Sequence, residues 1–307
     1  MQSSLAISRQ LELPPSHSAK ASAVPATGSV VMVGANGSGK TRLGAWLDIN
    51  SPQAGLTHRI AAQKSLAFPE WSSTSSLNLA ENDLLYGQAR ADAGFANKLH
   101  SKWSSRPSVL LQSDFDKLLV FLLTDEFDKS STYRQRAKDP LNRQAPPPET
   151  KLDIIKRLWE SVLPLRELLP AAGKVEVRPR DGTGSVYNAS EMSDGERVIF
   201  YLIGQSLAAK AGGILVVDEP ELHLHRSIQA RLWDAIEAER QDCLFVYLTH
   251  DLDFAATRVN ATKVCLLGYN GAEWDWYVSE PEVGFPERLT LEILGSRKPI
   301  LFVEGEP

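Results

Sequence analysis

Cysteine is scarce: the 307 residues contain two, Cys243 and Cys265, each inside an apolar run. That usage points to buried small side chains and excludes a disulfide framework or a cysteine-rich metal site. Long apolar runs are missing too. No stretch reaches the ~18 uninterrupted apolar residues of a membrane span, and the opening MQSSLAISRQLELPPS lacks a basic start followed by an apolar segment. A soluble, cytoplasmic protein is therefore expected, with no membrane partner. Charge is not one-sided either. With 33 Lys and Arg against 38 Asp and Glu, the net charge of -5 gives no general pull toward nucleic acid or anionic lipid. Sustained heptads and internal repeats are also lacking, which excludes long coiled-coil arms and solenoids.

What the chain does have is a succession of continuous apolar strands and helical patterns, with 43% hydrophobic residues to build a core. Short apolar runs at 5–7 and 11–13 suggest a small N-terminal antiparallel strand pair. The segment GSVVMVGANGSGKTRLGAWLDI passes from strand to glycine-rich turn to helix. Helical spacing at 77–85, 109–123 and 152–168 marks 51–170 as an inserted, mainly helical lobe, broken by the loop DPLNRQAPPPET. After it come a strand in KVEVRP, a helix opened by SDGE, and the strand ILVVD. A helix at 227–240 and strands at 244–248 and 263–267 complete the pattern. Apolar strands alternating with helices predict a single α/β domain over 1–307 with a mostly parallel sheet.

Three motifs carry chemistry. GANGSGKT, with Gly34, Asn36, Gly37, Ser38, Gly39, Lys40 and Thr41, matches GxxxxGK[ST] between a strand and a helix. Its backbone N–H groups would cradle the phosphates of ATP, Lys40 would reach the β and γ phosphates, and Thr41 would offer its hydroxyl to Mg²⁺. An ordinary glycine-rich turn is the bland alternative. Asp218 and Glu219 close an apolar strand, where parallel sheets collect ligands. Asp218 is expected to hold Mg²⁺ and Glu219 to act as general base on the attacking water. His250 ends another apolar strand and should reach the same edge, placing an imidazole near the γ phosphate. His223 and His225 have no third ligand at matching spacing, so a structural or interface role is expected of them.

The order of these motifs, with the run Ser193, Asp194, Gly195 and Glu196 between them, resembles the ABC-type P-loop ATPases. MSDGER and DEPELHLHRSIQARLWDAI look like the non-transporter, overcoming-lysogenization-defect-like branch, because transporters usually carry a second glycine where Asp194 stands. The resemblance implies that Ser193 and Gly195, at a helix N-terminus, contact the ATP held by another copy. Ser193 also reads as an N-cap paired with Glu196, a role compatible with the first. Gln63 is the candidate Mg²⁺ and water-coupling glutamine, with a plain loop residue as the alternative.

HRIAAQKSLAFPE, LWESVLPLREL and NASEMSDGERVIFYLIGQ further resemble the ATPase subunit family of the PARIS anti-phage defence system. That implies a homo-oligomer, at least a dimer and on to an assembly such as a hexamer. It also implies a Toprim-like nuclease effector and a phage-encoded anti-restriction protein as trigger. The terminal SRKPILFVEGEP, 296–307, reads either as a final ATPase strand or as the start of a Toprim-like segment in which Glu304 would be the acid. The alternative function is a DNA-repair or recombination ATPase that clamps DNA through Arg134, Arg136, Lys138, Arg143, Lys174, Arg178 and Arg180. Direct DNA contact is left open by the sequence.

Overall fold

The computed structural model describes residues 9–19, 22–26, 28–139, 146–180 and 184–279. In chain order these form β1 (Arg9–Glu12), β2 (Ala23–Ala26), β3 (Val30–Gly34), α1 (Lys40–Ile49), β4 (Thr57–Ile60), α2 (Leu77–Tyr86), α3 (Phe95–Ser101), α4 (Phe115–Arg136) and α5 (Lys151–Val162). Then follow β5 (Arg166–Ala171), β6 (Lys174–Pro179), β7 (Tyr187–Asn188), α6 (Asp194–Ala208), β8 (Ile214–Asp218), α7 (Arg226–Glu239), β9 (Leu244–Thr249), α8 (Leu252–Thr257), β10 (Thr262–Tyr269) and β11 (Trp274–Val278). They fall into two compact units.

The first unit takes Met1–Ala62, Ala211–Leu222 and Asp242–Pro307. Its main sheet has the order β11-β10-β3-β9-β8-β4, parallel except for the edge strand β11. Strands β3, β8 and β9 are buried along their whole length, as continuous apolar runs in a two-faced parallel sheet require, and β4 is buried throughout as well although it carries Thr57, His58 and Arg59. Helix α1 packs over β8, β4 and β9. Leu43 and Leu47 join Met32, Val216, Val246 and Leu248 in the core. β11 was not expected from sequence; it follows a tight hairpin and pairs antiparallel with β10. At the N-terminus β1 pairs with β2, Leu11 opposite Val24, so the partner of the 11–13 run is Ala23–Ala26. Residues 5–7 and 296–307 lie outside the described residues.

The second unit comprises Gln63–Lys210 and His223–Gln241. Two boundaries differ from the helical pattern. The 109–123 run enters its helix only at Phe115, and the 152–168 run leaves helix at Val162. Pro164 explains the second: the residue before a proline is driven out of the α region, and Leu163 has ψ 72. Leu168 then belongs to β5, which forms with β6 and β7 a separate antiparallel sheet. KVEVRP therefore stands outside the parallel sheet, and its alternating burial, with Val175 and Val177 inside, is that of a half-exposed strand. Conversely β4, within 51–170, belongs to the first unit's sheet.

Helix α6 is fixed inside the second unit by Phe200 and Tyr201, which pack on Phe115 at ring separations of 6.1 and 5.2 Å. Buried Asp114 accepts hydrogen bonds from Tyr201 (2.6 Å), Gln205 (3.2 Å) and Gln112 (2.8 Å). Neither cysteine forms a disulfide, and both are buried. Among the described residues no helix is long and apolar enough to cross a membrane.

Candidate active site

The turn between β3 and α1 is built by glycines that other residues could not replace without strain. Gly39, the residue before α1, has φ +90, and a Cβ there would lie 2.6 Å from the Tyr269 Cβ. The turn thus runs hard against the β10–β11 hairpin, and the Trp274 indole donates to the Gly39 carbonyl at 3.2 Å. Lys40 points back into the turn, donating to the carbonyls of Gly34 (2.9 Å) and Ala35 (3.1 Å). Asn36, Gly37 and Ser38 complete the loop, with the Ser38 hydroxyl buried and unpartnered.

Strand order brings the other groups to this turn. β9 lies between β3 and β8, so the residue following it emerges between the ends of the other two strands. That residue is His250. Asp218 pairs with Leu248 in register, and the Glu219 amide donates to the Leu248 carbonyl at 2.8 Å. Glu219 itself has φ 52, a left-handed conformation rare outside glycine and a mark of local backbone strain. Its carboxylate lies 2.5 Å from His250 Nδ1 and 3.7 Å from Lys40 Nζ. The first unit alone therefore gathers Lys40, Thr41, Asp218, Glu219 and His250.

Electrostatics separates the two adjacent acids. Burial pushes the Asp218 carboxyl up to about 6, against the pull of Arg59, Thr41 and Lys40 and with a push from Glu219. Neither oxygen meets a donor at hydrogen-bonding geometry. A buried carboxylate without a donor, next to the Thr41 hydroxyl, fits a hard cation such as Mg²⁺. For Glu219 burial also acts upward, but hydrogen bonds with His250 and Glu221 and the charge of Lys40 outweigh it, leaving the carboxyl below the usual glutamate value. Burial lowers Lys40, opposed by Glu219, Asp218 and Glu221.

Two residues not recognised in the sequence belong here. Arg59 on β4 is about 1% exposed, and burial lowers its pKa against the charges of Asp48 and Asp218. An arginine inside the run THRIAA was its signal. Glu221 accepts the Thr249 hydroxyl at 2.7 Å and lies 3.4 Å from His250 Nδ1. Burial and neighbouring Glu219 push it up to about 8.

The remaining candidates belong to the second unit. Gln63 is exposed, and its carbonyl accepts from the Gln112 amide at 3.0 Å. Ser193 caps α6: its hydroxyl accepts from the Glu196 amide (3.3 Å) and donates to Glu196 Oε2 (2.9 Å). Ser193 and Asp194 are exposed, and a Cβ on Gly195 would meet only the His223 carbonyl, at 3.9 Å. His225 caps α7 through Ser227. Of the basic residues considered for DNA, Arg134, Arg136 and Lys138 are exposed, whereas Lys174, Arg178 and Arg180 pair with Glu176, Glu167 and Glu160. Arg143 and Glu304 lie outside the described residues.

The family model described as "AAA domain, putative AbiEii toxin, Type IV TA system" matches residues 48–255. The chain belongs to this family. As a member of the AAA-domain AbiEii-type family it matches across Ser193, Asp218, Glu219 and His250, while the loop 34–41 precedes the matched span. None of the curated proteins compared matches the chain. Among solved structures it is similar to an SmcHead bound to the C-winged helix domain of ScpA, at 17% identity and a TM-score of 0.46, covering 89% of this chain and 97% of that one. It is also similar to an ATP-binding cassette of an ABC transporter in its ADP conformation, at 13% identity and a TM-score of 0.42, covering 94% and 98%. The fold of the AbiEii-type chain, an α/β P-loop ATPase fold, is set by its own strand order and by the turn at 34–41.

Proposed function

We propose that the chain binds and hydrolyses ATP at sites shared between copies of itself. One observation carries this: a buried lysine, an unpartnered buried aspartate and a histidine-paired glutamate converge at the edge of one parallel sheet, beside a phosphate-binding turn. The turn at 34–41 binds the phosphates. Thr41 and Asp218 would hold Mg²⁺, which when bound neutralises phosphate charge. Glu219 orients the attacking water and accepts its proton, and His250 faces the γ phosphate while restraining Glu219. Ser193 and Asp194, exposed at a helix N-terminus, with the half-buried Gly195 and Glu196 beside them, supply an anion-binding surface for the ATP of a neighbouring copy. Turnover then requires at least a dimer, and a ring such as a hexamer repeats the same contact.

At the level of biology, we read the chain as a sensor or scaffold subunit in anti-phage defence. It would hold a Toprim-like nuclease and release it when a phage anti-restriction protein arrives. The motif resemblance supports this reading. A DNA-clamping repair ATPase is disfavoured, because three of its basic candidates are matched by carboxylates. The family description favours a second setting, that of the toxin in a type IV toxin–antitoxin pair.

The test of the activity is ATP turnover by the wild type and by Glu219→Gln. The variant should keep ATP bound and lose turnover by roughly 10² to 10⁴-fold; unchanged turnover would remove Glu219 from the role of base. Expression of the chain alone separates the two settings, since growth arrest without any trigger would favour the toxin.

A further inference from the structure

Two aromatic rings stand beside the phosphate-binding turn on the side away from the acids. In the sheet order β11-β10-β3-β9-β8-β4, Glu219 and His250 follow β8 and β9 on one side of β3, and β10 lies on the other. Tyr269 is the last residue of β10 and Trp274 the first of β11, with ring centroids 4.5 Å apart. Trp274 is buried and donates its indole N–H to the Gly39 carbonyl at 3.2 Å, which fixes the pair against the start of α1. Tyr269 is half-buried, and its hydroxyl donates to the Gly271 carbonyl at 2.6 Å, so the far end of its ring is anchored as well. The guanidinium of Arg42, an exposed residue in the first turn of α1, stands 5.6 Å over the Tyr269 ring. All these residues belong to the first unit.

A triphosphate held in the turn has a direction. Its γ end faces Glu219 and His250, so its α end, and whatever that phosphate carries, leaves toward β10. There it meets a tyrosine ring that is held at both ends and backed by Trp274. Stacking of a base on an aromatic ring is stronger than an exposed cation–π contact, so a base takes the ring face and the guanidinium, on its flexible stem, moves to the outer side. We propose that Tyr269, backed by Trp274, stacks on the base of a nucleoside triphosphate and that Arg42 covers the base from outside. The ligand of the turn is then selected as a nucleotide and not as a bare polyphosphate. The inference rests on the reading that the turn at 34–41 holds phosphates with the γ end toward Glu219.

The experiment measures by calorimetry the binding of ATP and of inorganic tripolyphosphate, each with Mg²⁺, to the full chain as wild type, Tyr269→Leu, Tyr269→Phe and Arg42→Gln. Wild type should bind ATP about 10-fold or more tighter than tripolyphosphate, the effect of one stacked base. Tyr269→Leu, which keeps an apolar side chain against the turn, should lose about 10-fold on ATP and stay within about twofold on tripolyphosphate. Tyr269→Phe keeps the ring and should match wild type within about twofold on both. Arg42→Gln should weaken ATP about two- to fivefold more than tripolyphosphate. Equal wild-type affinities for the two ligands overturn the proposal and leave the phosphate-binding turn standing; this comparison needs no variant, and with Arg42→Gln it decides the matter if Tyr269→Leu does not fold. An ATP affinity untouched by Tyr269→Leu also overturns it, as does an equal loss on both ligands, since packing of the turn would then explain the effect. A wild type that binds neither ligand removes the ATPase reading, and this proposal with it.

Discussion

Lys40 Nζ lies 3.7 Å from Glu219 Oε1 while it donates to the carbonyls of Gly34 and Ala35. The lysine therefore closes the turn on itself, and its charge is met by the acids across the sheet edge. On the proposed function, a polyphosphate entering the turn would replace those carbonyls with better acceptors, because charge-assisted hydrogen bonds are about twice as strong as neutral ones. The same entry leaves Glu219 to His250 and Glu221. On the proposed function, nucleotide binding and the release of the Glu219 carboxylate from Lys40 would be one exchange of partners.

The first prediction tests that exchange. Lys40→Met removes the ammonium but keeps an apolar stem in a position only about 6% exposed. ATP affinity, measured by calorimetry, should fall about 10- to 100-fold, the value of one or two charge-assisted bonds. Undiminished affinity would mean that the phosphates do not lie in this turn.

A second prediction separates two glycines of the same loop. Gly37 and Gly39 both have positive φ, +85 and +90. A Cβ at Gly37 meets nothing within 4 Å, whereas one at Gly39 lies 2.6 Å from Tyr269 and 3.1 Å from the Trp274 indole nitrogen. Gly37→Ala should therefore cost about 1 kcal/mol of stability from backbone strain alone. Gly39→Ala should cost about 1–3 kcal/mol more, because the hairpin must move. Denaturant unfolding of the two variants checks the order, and equal losses would contradict the close approach of turn and hairpin.

The third concerns pH. The Glu221 carboxyl is raised from 4.5 to about 8 in the folded chain, so the folded state retains a proton that the unfolded chain has released. Stability from this group is complete below about pH 4.5 and is lost as pH rises toward 8. Asp218, raised from 3.8 to about 6, adds a loss of the same sign that ends earlier. Between pH 6 and 8 the remaining slope belongs to Glu221 among these two, and it should amount to about 2 kcal/mol. Glu221→Gln should flatten it in nucleotide-free protein. A wild-type stability constant across pH 6 to 8 would show that Glu221 is already ionised.

Much of the site was legible because its signals are local. The spacing in GANGSGKT and the acids ending ILVVD are read within single segments, and His250 follows from the rule that parallel strands end on one edge. Arg59 and Glu221 were not legible for the converse reason. Arg59 gains its role from lying on β4 beside β8, opposite Val216, and no pattern in THRIAA reveals that neighbour. Glu221 sits among ELHLH, where the histidines draw attention, yet its partners Thr249 and His250 come from β9 and the residue after it, some thirty residues on. The sheet of β5–β7 escaped for a related cause: Leu168 keeps the helical spacing of α5, while Pro164, a single residue, decides the break.

The last prediction concerns the shared site. Ser193 in a single chain spends its hydroxyl on Glu196, accepting from the amide at 3.3 Å and donating to the carboxylate at 2.9 Å, so its hydrogen-bonding capacity is locally satisfied. A phosphate from another copy must therefore take the hydroxyl proton in place of Glu196, whose carboxylate still has Arg166 at 3.2 Å and is not stranded by the change. A Ser193→Arg subunit carries an intact turn at 34–41 but a blocked helix end, and a Lys40→Ala subunit carries the reverse. Each alone should be inactive. Mixed assemblies should recover part of the wild-type turnover, because an intact turn can then face an intact Ser193, and about a quarter of the pairings is the ceiling for random assembly of such composite sites. If mixing restores nothing over a range of ratios while both subunits co-assemble, Ser193 does not act on a neighbour's nucleotide, and its place at the start of α6 is that of a helix cap alone.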